Sequence, residues 1–205
     1  HAMMTLYHAP VSRSSAIATL VDELGIQDKV TVKIVSIPRM DGTGGTDPAN
    51  PHPEGKVPLL VHDGHMIRER GAIILYLTDM FPAAGLGPLP GEPMRGEYLS
   101  WLSWYQGVME PVLILRFAGL DHPVLTKTFR DYDTMVARLE EVLKDRPYVL
   151  GDRFSGADLL LHSPFVWFPD ATPDVPCIRD WVARCADRPA KWLVKARDEE
   201  LLKAG

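Results

Sequence analysis

The chain has 205 residues, enough for one large or two small domains, and its 46% apolar and 24% charged residues exclude a disordered protein. Its formal net charge of −5 lacks the basic surplus of a nucleic-acid-binding protein, so no nucleic-acid partner is expected. No apolar run approaches the length of a membrane span and no signal peptide is recognised, which indicates a cytoplasmic protein without membrane attachment. The first residues, His1-Ala2-Met3, are typical of a cloning remnant and take no part in the fold prediction.

The two cysteines also favour a reducing compartment. Cys177 and Cys185 are eight residues apart in one predicted helix, a rise of about 12 Å along its axis. Because that separation is too large for a disulfide, we expect both thiols to be reduced.

The first part of the chain predicts a βαβ unit. Residues 5–8 read as a short strand, and residues 9–15 form a loop rich in the residue types that begin helices. Apolar side chains at helical spacing follow, and Gly25 is placed to end that helix. The alternating, β-branched residues 30–35 predict a second strand, which would run parallel to the first through a right-handed crossover.

A hairpin and a helix follow between residues 55 and 80. The apolar run 57–61 predicts a strand, Asp63-Gly64 is typical of a two-residue hairpin turn, and residues 65–67 predict the returning strand. Four apolar side chains then recur at helical spacing, namely Ile73, Tyr76, Leu77 and Met80. The N-terminal elements are therefore ordered βαβ and then ββα.

Pro58 and Glu69 are the unusual residues of this segment. A proline cannot donate to a sheet, so Pro58 belongs at a strand start or on an edge strand. If the peptide bond before it is cis, Val57 can turn its N–H and C=O outward to pair with an extended peptide. Glu69 stands where the next helix begins, and a helix N-terminus suits a ligand carboxylate while the Glu69 carboxylate suits an ammonium group. Together these features predict a site for a small zwitterionic peptide, although Pro58 alone is equally typical of an ordinary edge strand.

Two Gly- and Pro-rich stretches interrupt the regular pattern. Residues 37–56 have no clear period, and such a stretch is either a functional loop or contains a short helix. A second stretch marks a domain boundary, which divides the chain into an α/β domain (1–81), a linker (82–93) and an all-helical domain (94–205). The helices predicted beyond the linker span residues 94–117 (with a bend at Gly107 or Pro111), 130–143, 175–186 and 189–202.

Ser155 and Asp158 stand at the spacing of a capping box, with Asp replacing the usual Glu or Gln. The interaction at such a cap contributes about 1 kcal/mol to helix stability. We therefore give Asp158 a structural role and no catalytic one.

Three motifs of this chain resemble the glutathione S-transferase family. They are Gly55-Lys56-Val57-Pro58, the segment Glu69-Arg70-Gly71-Ala72-Ile73-Ile74-Leu75-Tyr76-Leu77, and Ser155-x-x-Asp158. The resemblance implies a cis peptide bond before Pro58, as in the family's Gly-Lys-Val-Pro motif. It also implies a thioredoxin-like α/β domain followed by an all-helical domain, a homodimer, and glutathione as co-substrate without a metal. It also implies a short, variable helix within residues 37–56. The chain departs from the family at Arg70, where Ser or Thr usually binds the γ-glutamyl carboxylate; Arg70 could offer its backbone N–H or its charge instead.

The resemblance also implies a catalytic hydroxyl that stabilises the glutathione thiolate. A thiol with a pKa of about 8.5 is roughly 3% ionised at neutral pH, and lowering that pKa by about two units requires ~2.7 kcal/mol. A hydroxyl donor supplies about 1.5–3 kcal/mol and a helix N-terminus about 0.3–1 kcal/mol, so one serine at the start of the first helix is sufficient.

Ser12 follows the first strand at the spacing of the family's serine-type classes, and Ser14 is the second candidate. Ser12 is otherwise a turn or capping hydroxyl, and Ser14 and Ser15 are typical helix caps. Tyr7 is one residue away from the tyrosine-type spacing, which turns its side chain to the other face of the strand. The loop contains no cysteine, which argues against a reductase activity.

Further residues are assigned to ligand contacts by the same resemblance. Arg13 could meet a ligand carboxylate or be solvated, with neither favoured. His52 and Lys56 could reach the glycyl carboxylate of glutathione, although an exposed lysine is most often ordinary surface. Trp104, Tyr105 or Gln106 could line an apolar pocket for the second substrate. The chain has no nucleophile elbow, phosphate loop or metal-spaced Cys/His cluster, so no metal is expected.

The resemblance implies a glutathione transferase that conjugates the thiolate to small apolar electrophiles, an activity typical of detoxification. Three alternatives remain open: a non-catalytic glutathione- or ligand-binding protein, a glutathione-dependent isomerase or dehalogenase, and a structural partner that has lost the ligand.

Overall fold

The computed structural model describes residues 3–205, so the first two residues of the expected cloning remnant lie outside it. The described chain forms two compact units, the first made of residues up to 84 together with 187–205, and the second of residues 85–186. No helix among the described residues is both long enough and apolar enough to cross a bilayer.

The first unit combines a mixed sheet with three α-helices. Its elements are β1 (Met4–His8), α1 (Ser15–Leu24), β2 (Val30–Ile34), β3 (Leu59–His62), β4 (His65–Arg68), α2 (Arg70–Met80) and, from the end of the chain, α9 (Pro189–Ala204). The strand order is β2-β1-β3-β4, with β1 parallel to β2 and antiparallel to β3, and with β3 antiparallel to β4. This confirms the thioredoxin-like α/β domain expected for the N-terminal part.

The core of the first unit is the apolar face of the sheet packed against helices. Of the stripe predicted for α2, Ile73 and Leu77 are fully buried there, whereas Tyr76 is half-buried and Met80 is exposed. The other fully buried side chains include Leu6, Ile17, Leu20, Leu59, Leu60 and Ile74. Gly25 ends α1 with a left-handed φ of 68°, a conformation that glycine adopts without steric cost.

Helix α9 packs against α1. Arg188 donates from Nε and Nη2 to the carboxylate of Glu23 at 2.5 and 3.0 Å, and Arg197 pairs with Asp22. The sequence analysis assigned all of residues 94–205 to one helical domain. In the structure α9 belongs to the first unit, where it packs against α1. Periodicity identifies a helix but does not identify the element it packs against.

The second unit is all-helical, as expected. It contains α3 (Arg95–Trp104), a π-helical turn (Tyr105–Met109), α4 (Glu110–Phe117), α5 (Pro123–Phe129), α6 (Tyr132–Leu143), α7 (Gly156–Trp167) and α8 (Pro176–Ala186). The long helix predicted over 94–117 is thus interrupted by the π-helical turn that contains Gly107. Helix α5 was not predicted, because its seven residues are too few to show a helical period.

The capping box is confirmed at the start of α7. Ser155 Oγ accepts from the Ala157 N–H at 3.2 Å, and Asp158 Oδ2 accepts from the Ser155 N–H at 2.9 Å. Asp158 Oδ1 also accepts from the Val149 N–H and from Trp181 Nε1, each at 2.9 Å. The carboxylate therefore ties α8 and the preceding turn to the first turn of α7.

The short helix expected within residues 37–56 is wrong for this chain, because the structure describes that whole stretch and gives it only turns and extended backbone. Side chains fix these turns instead. Asp47 accepts from the Ser36 and Ala49 N–H groups, and Asn50 Nδ2 donates to the Lys56 carbonyl at 3.1 Å. Local side-chain hydrogen bonds of this kind compete with helix formation.

Candidate functional site

The strand register brings three predicted site segments to one edge of the sheet. Tyr7, near the end of β1, pairs with Leu59 at the start of β3, and Leu59 pairs with Arg68 at the end of β4. The loop of residues 9–14 follows the end of β1. The Val57–Pro58 peptide directly precedes Leu59, and Glu69 directly follows Arg68. They therefore leave or enter the sheet at the same end.

The peptide bond between Val57 and Pro58 is cis, as the sequence analysis expected. Pro58 is buried directly before β3, while Val57 is half-exposed. Lys56 has an exposed side chain, and its carbonyl is occupied by Asn50.

Glu69 adopts an unusual backbone conformation at the start of α2. Its φ of 77° is positive and its carboxylate side chain is exposed. Its carbonyl accepts from the Ile73 N–H at 3.0 Å, which forms the first turn of the helix. A residue other than glycine with such a φ costs about 1–3 kcal/mol, and strain of this kind is concentrated at functional sites. Arg70, the first residue of α2, is buried.

Ser12 is buried in the loop after β1, with 8% of its surface exposed. Its hydroxyl donates to the Ala9 carbonyl at 2.7 Å and lies 2.7 Å from Ser14 Oγ. Its N–H donates to Ser15 Oγ at 3.2 Å. Arg13, between the two candidate serines, has an exposed side chain.

Ser14 precedes α1 at the N-cap position, but its side chain makes no capping hydrogen bond. The hydroxyl instead accepts from the Ala9 N–H at 3.0 Å and lies 2.6 Å from His8 Nδ1. The capping role proposed for Ser14 as an alternative is therefore wrong. Ser15 is the first residue of α1, and its hydroxyl donates to Asp198 Oδ2 at 2.5 Å.

His8 and Asp198 form a buried pair that the sequence analysis missed. His8 Nε2 lies 2.7 Å from Asp198 Oδ1, and only 3% of either side chain is exposed. Burial by itself raises the pKa of Asp198. Hydrogen bonds from His8, Ser15 and the Val11 N–H outweigh that effect and hold the pKa of this carboxyl below its usual value.

Asp198 also fixes the backbone of the loop that carries Ser12. Val11 has a φ of 53°, a rare conformation for a β-branched residue. Its N–H donates to Asp198 Oδ2 at 2.9 Å, and its carbonyl accepts from Arg39 Nη1 at 2.7 Å. The second nitrogen of Arg39 donates to the Pro10 carbonyl at 2.5 Å. The loop is thus held from both sides by charged groups.

His52, predicted to contact a glutathione carboxylate, is buried in the 37–56 loop. Its Nδ1 accepts from the Glu54 N–H at 3.0 Å, and its own N–H donates to Asn50 Oδ1 at 3.1 Å. One ring nitrogen of His52 thus stabilises the loop, which leaves Nε2 as the atom available for the predicted contact.

The residues predicted for the apolar pocket lie in the second unit. Trp104 is buried, stacks edge-on with Trp101 at 5.3 Å and lies under the guanidinium of Arg138 at 4.8 Å. Tyr105 is buried in the π-helical turn and donates to Glu110 Oε2 at 3.0 Å. Gln106 is half-buried.

Tyr7, the tyrosine alternative, is half-buried with the Lys33 ammonium 6.0 Å from its ring.

Across residues 3–205, no three His, Cys, Asp or Glu side chains are grouped so as to hold a metal ion. The sheet edge offers the Ser12 hydroxyl, the exposed Glu69 carboxylate and the N-terminus of α2, with the buried His8–Asp198 pair behind the Ser12 loop.

Comparison with known proteins connects both units to one family. The model of the glutathione S-transferase N-terminal domain matches residues 6–87, and that of the C-terminal domain matches residues 114–189. Glutathione S-transferase F10 of Arabidopsis thaliana is 30% identical over 80% of this chain and 79% of its own length. Protein LigF of a Sphingobium species is 28% identical over 74% of this chain and 79% of its own length. A sphingomonad glutathione S-transferase solved with glutathione is 26% identical, has a TM-score of 0.75, and matches over 95% of this chain and 98% of its own. The chain belongs to the glutathione S-transferase family.

Proposed function

We propose that this protein is a glutathione transferase that joins the glutathione thiolate to small apolar electrophiles. The observation that carries the proposal is the shared edge of the sheet. The Ser12 loop, the cis Val57–Pro58 peptide and Glu69 meet there through the register of three strands. A hydroxyl, a backbone edge and a carboxylate at one end of a sheet suit a small peptide with a thiol.

Glutathione supplies a matching group for each of these parts. Its extended backbone pairs with the N–H and C=O of Val57, and its ammonium group pairs with the exposed carboxylate of Glu69. Its γ-glutamyl carboxylate lies at the N-terminus of α2, where the helix dipole favours an anion. The sphingomonad relative complexed with glutathione supports this choice of ligand.

The hydroxyl of Ser12 is the group that we assign to the sulfur. Ser14 is fully buried, whereas Ser12 retains some exposure. When Ser12 turns its proton toward the sulfur, it gives up its hydrogen bond to the Ala9 carbonyl. A hydrogen bond to a charged sulfur contributes about 1.5–3 kcal/mol to the ionised form.

The remaining contacts follow the sequence analysis. The glycyl carboxylate meets the cations Lys56 and Arg13 and the Nε2 atom of His52. Trp104 and Tyr105 are the aromatic contacts for the electrophile. Gln106 is a polar contact in the same pocket and, being half-buried, is the most accessible of the three. We further propose a cytoplasmic homodimer acting in detoxification. Both cysteines are reduced thiols, which suits a reducing compartment.

Arg70 favours a second candidate function, a glutathione-binding protein without turnover. It stands where the family usually has a hydroxyl residue for the γ-glutamyl carboxylate, and its side chain is buried. A buried guanidinium there can bind the carboxylate as a charge but alters how far the ligand enters. If glutathione entered the site to a different depth, its sulfur would shift relative to Ser12, although the ligand would still bind.

Calorimetry with glutathione and a turnover assay with chlorodinitrobenzene test the proposal together. We expect binding in the micromolar to millimolar range and formation of the conjugate. Binding without turnover of any aryl halide, epoxide or isomerase substrate would support the Arg70 alternative. Turnover confined to isomerase or dehalogenase substrates would assign the same site to those reactions. No heat with millimolar glutathione would contradict the proposal and favour a structural role.

A further inference from the structure

A continuous chain of four polar side chains leads inward from Ser12. Ser12 Oγ lies 2.7 Å from Ser14 Oγ, Ser14 Oγ lies 2.6 Å from His8 Nδ1, and His8 Nε2 lies 2.7 Å from Asp198 Oδ1. Every link is short enough for a proton to pass along it. The stabilisation of a thiolate by Ser12 alone uses none of the three inner residues.

Burial determines which end of this chain can meet a substrate. Ser14, His8 and Asp198 are 0%, 2% and 2% exposed, whereas Ser12 is 8% exposed. The Ser14–His8–Asp198 contacts have the order of a nucleophile, base and acid, but a fully enclosed Ser14 cannot attack a substrate. The inner three residues therefore act through Ser12.

The hydrogen bonds at Asp198 determine where His8 carries its proton. The ionised carboxylate accepts from the Val11 N–H, from Ser15 Oγ and from His8 Nε2, so Nε2 bears a hydrogen. In neutral His8 the other nitrogen, Nδ1, is then an acceptor, and the Ser14 hydroxyl is its donor. His8 Nδ1 is thus a base that already accepts a hydrogen bond from the inner of the two hydroxyls.

We propose that His8 receives the proton that the glutathione thiol gives up, an inference that rests on the function proposed above. The S–H bond breaks as its proton moves to Ser12 Oγ. The Ser12 hydroxyl turns its own proton from the Ala9 carbonyl toward Ser14 Oγ, which lies 2.7 Å away. That proton moves to Ser14 Oγ, and the Ser14 proton moves to His8 Nδ1. The products are a thiolate and an imidazolium, with both hydroxyls intact and no proton released to solvent.

After this transfer every donor in the chain points toward the sulfur. His8 Nδ1 donates to Ser14, Ser14 donates to Ser12, and Ser12 donates to the thiolate, while Asp198 pairs with the imidazolium. Conjugation then consumes the thiolate as a thioether, the leaving group departs as an anion, and His8 gives its proton to solvent when the product leaves. Ser12 is the catalytic residue, and Ser14, His8 and Asp198 are positioning and proton-holding residues.

The charged groups around His8 suit an imidazolium. Asp198 on α9 is in direct contact with the ring. Arg39 is bound to the loop carbonyls, Lys33 on β2 lies over Tyr7, and the acids of α1 are paired with α9. Of these groups, the Asp198 carboxylate is the one in direct contact with the His8 ring.

Counting the protons released on binding separates this relay from ordinary ionisation of the thiol. Calorimetry with glutathione in buffers of different ionisation enthalpy gives the number of protons released per site, and thiolate absorbance gives the fraction ionised. For the unaltered protein we expect a thiolate with almost no proton released. A thiolate accompanied by an equal number of released protons would overturn the relay but leave the proposed function intact.

Two variants interrupt the chain at different links. In Ser14→Ala the His8–Asp198 pair remains but the relay is cut, and in His8→Gln the base is removed. For both variants we expect one of two changes. Either the thiolate still forms but its proton is released to solvent, or the thiolate fraction falls from roughly three quarters to about 3%, a loss of ~25-fold. The control His65→Gln replaces an exposed histidine on β4 and should change neither quantity.

The possible results are distinguishable. If Ser14→Ala keeps the unaltered protein's thiolate without proton release, the chain is structural only and the relay is wrong. If His8→Gln is insoluble, Ser14→Ala alone decides, because its change removes a single oxygen. If the unaltered protein binds no glutathione, the proposed function and the relay are both overturned.

Discussion

Single residues at the sheet edge carry unusual backbone and side-chain states. Glu69 and Val11 have positive φ values, and His8 and Asp198 form a buried hydrogen-bonded pair. Each state has a free-energy cost that an ordinary loop would avoid. Their concentration at one end of one sheet indicates a site whose geometry is fixed in advance of binding.

Replacing Glu69 tests its role as a ligand anchor against its backbone strain. Glu69→Gly relieves the positive φ and should stabilise the fold by up to about 1 kcal/mol, while weakening glutathione binding. Glu69→Gln keeps the shape and removes the charge, so it should weaken binding with little change in stability. Calorimetry and urea unfolding measure the two quantities. Undiminished affinity in both variants would show that Glu69 is not an anchor.

At this scale the sequence was informative where a residue type is unusual for its position. Pro58 in a strand and Glu69 before a helix were recognisable, and the cis peptide is confirmed. His8 was recognisable in principle, because a polar residue breaks the buried alternation of β1. Asp198 was not, since its partner is 190 residues away and it has no local signature.

Among the elements, α7 depends on its first turn. Asp158 accepts four hydrogen bonds from buried donors, so Asp158→Ala leaves several donors without an acceptor. We expect a loss of about 2–5 kcal/mol in the free energy of unfolding, against about 1 kcal/mol for Ser155→Ala. Urea unfolding of both variants measures these values.

Asp131→Ala is the matched control for that experiment. Asp131 caps α6 through the Thr134 N–H but is exposed. Its loss should cost clearly less than the loss of Asp158, and an equal cost would contradict a buried network at α7.

Helix α9 holds the Ser12 loop through Asp198, which makes its contribution depend on pH. The pKa of Asp198 is lower in the folded chain than the usual value that it has when unfolded. The unfolded chain therefore binds more protons between those two values, and stability falls as the pH falls through the folded pKa.

The variant Asp198→Asn measures this contribution. Its deficit in unfolding free energy should be constant above about pH 5 and should shrink as the pH falls below ~4. The exposed Asp28→Asn serves as control and should show no such deficit. A deficit for Asp198→Asn that persists unchanged at low pH would mean that the carboxylate charge is not what stabilises the loop.

Element type was more predictable than element packing. The strands, α1, α2 and the later helices follow the apolar period of the sequence, whereas α5 is too short and the 37–56 loop is fixed by side-chain hydrogen bonds. The π-helical turn at Tyr105–Met109 was not predicted, because the apolar period of the sequence does not distinguish it from the α-helices on either side.

For the molecule as a whole, the first unit is built from both ends of the chain. The sheet edge gives the ligand contacts, and α9 returns from the far end of the sequence to fix the loop at that edge. Family membership was recognisable from three motifs, because each motif is local. The discontinuous first unit was not, because it depends on which face of α9 packs on α1.

The central claim is that Ser12 stabilises the glutathione thiolate. Thiolate absorbance of the glutathione complex, followed across pH for the unaltered protein and for Ser12→Ala, tests it most directly. We expect a bound-thiol pKa about two units below the free value of ~8.5, and a return toward that value in Ser12→Ala with affinity roughly unchanged. A bound-thiol pKa that is the same with and without the Ser12 hydroxyl would contradict it.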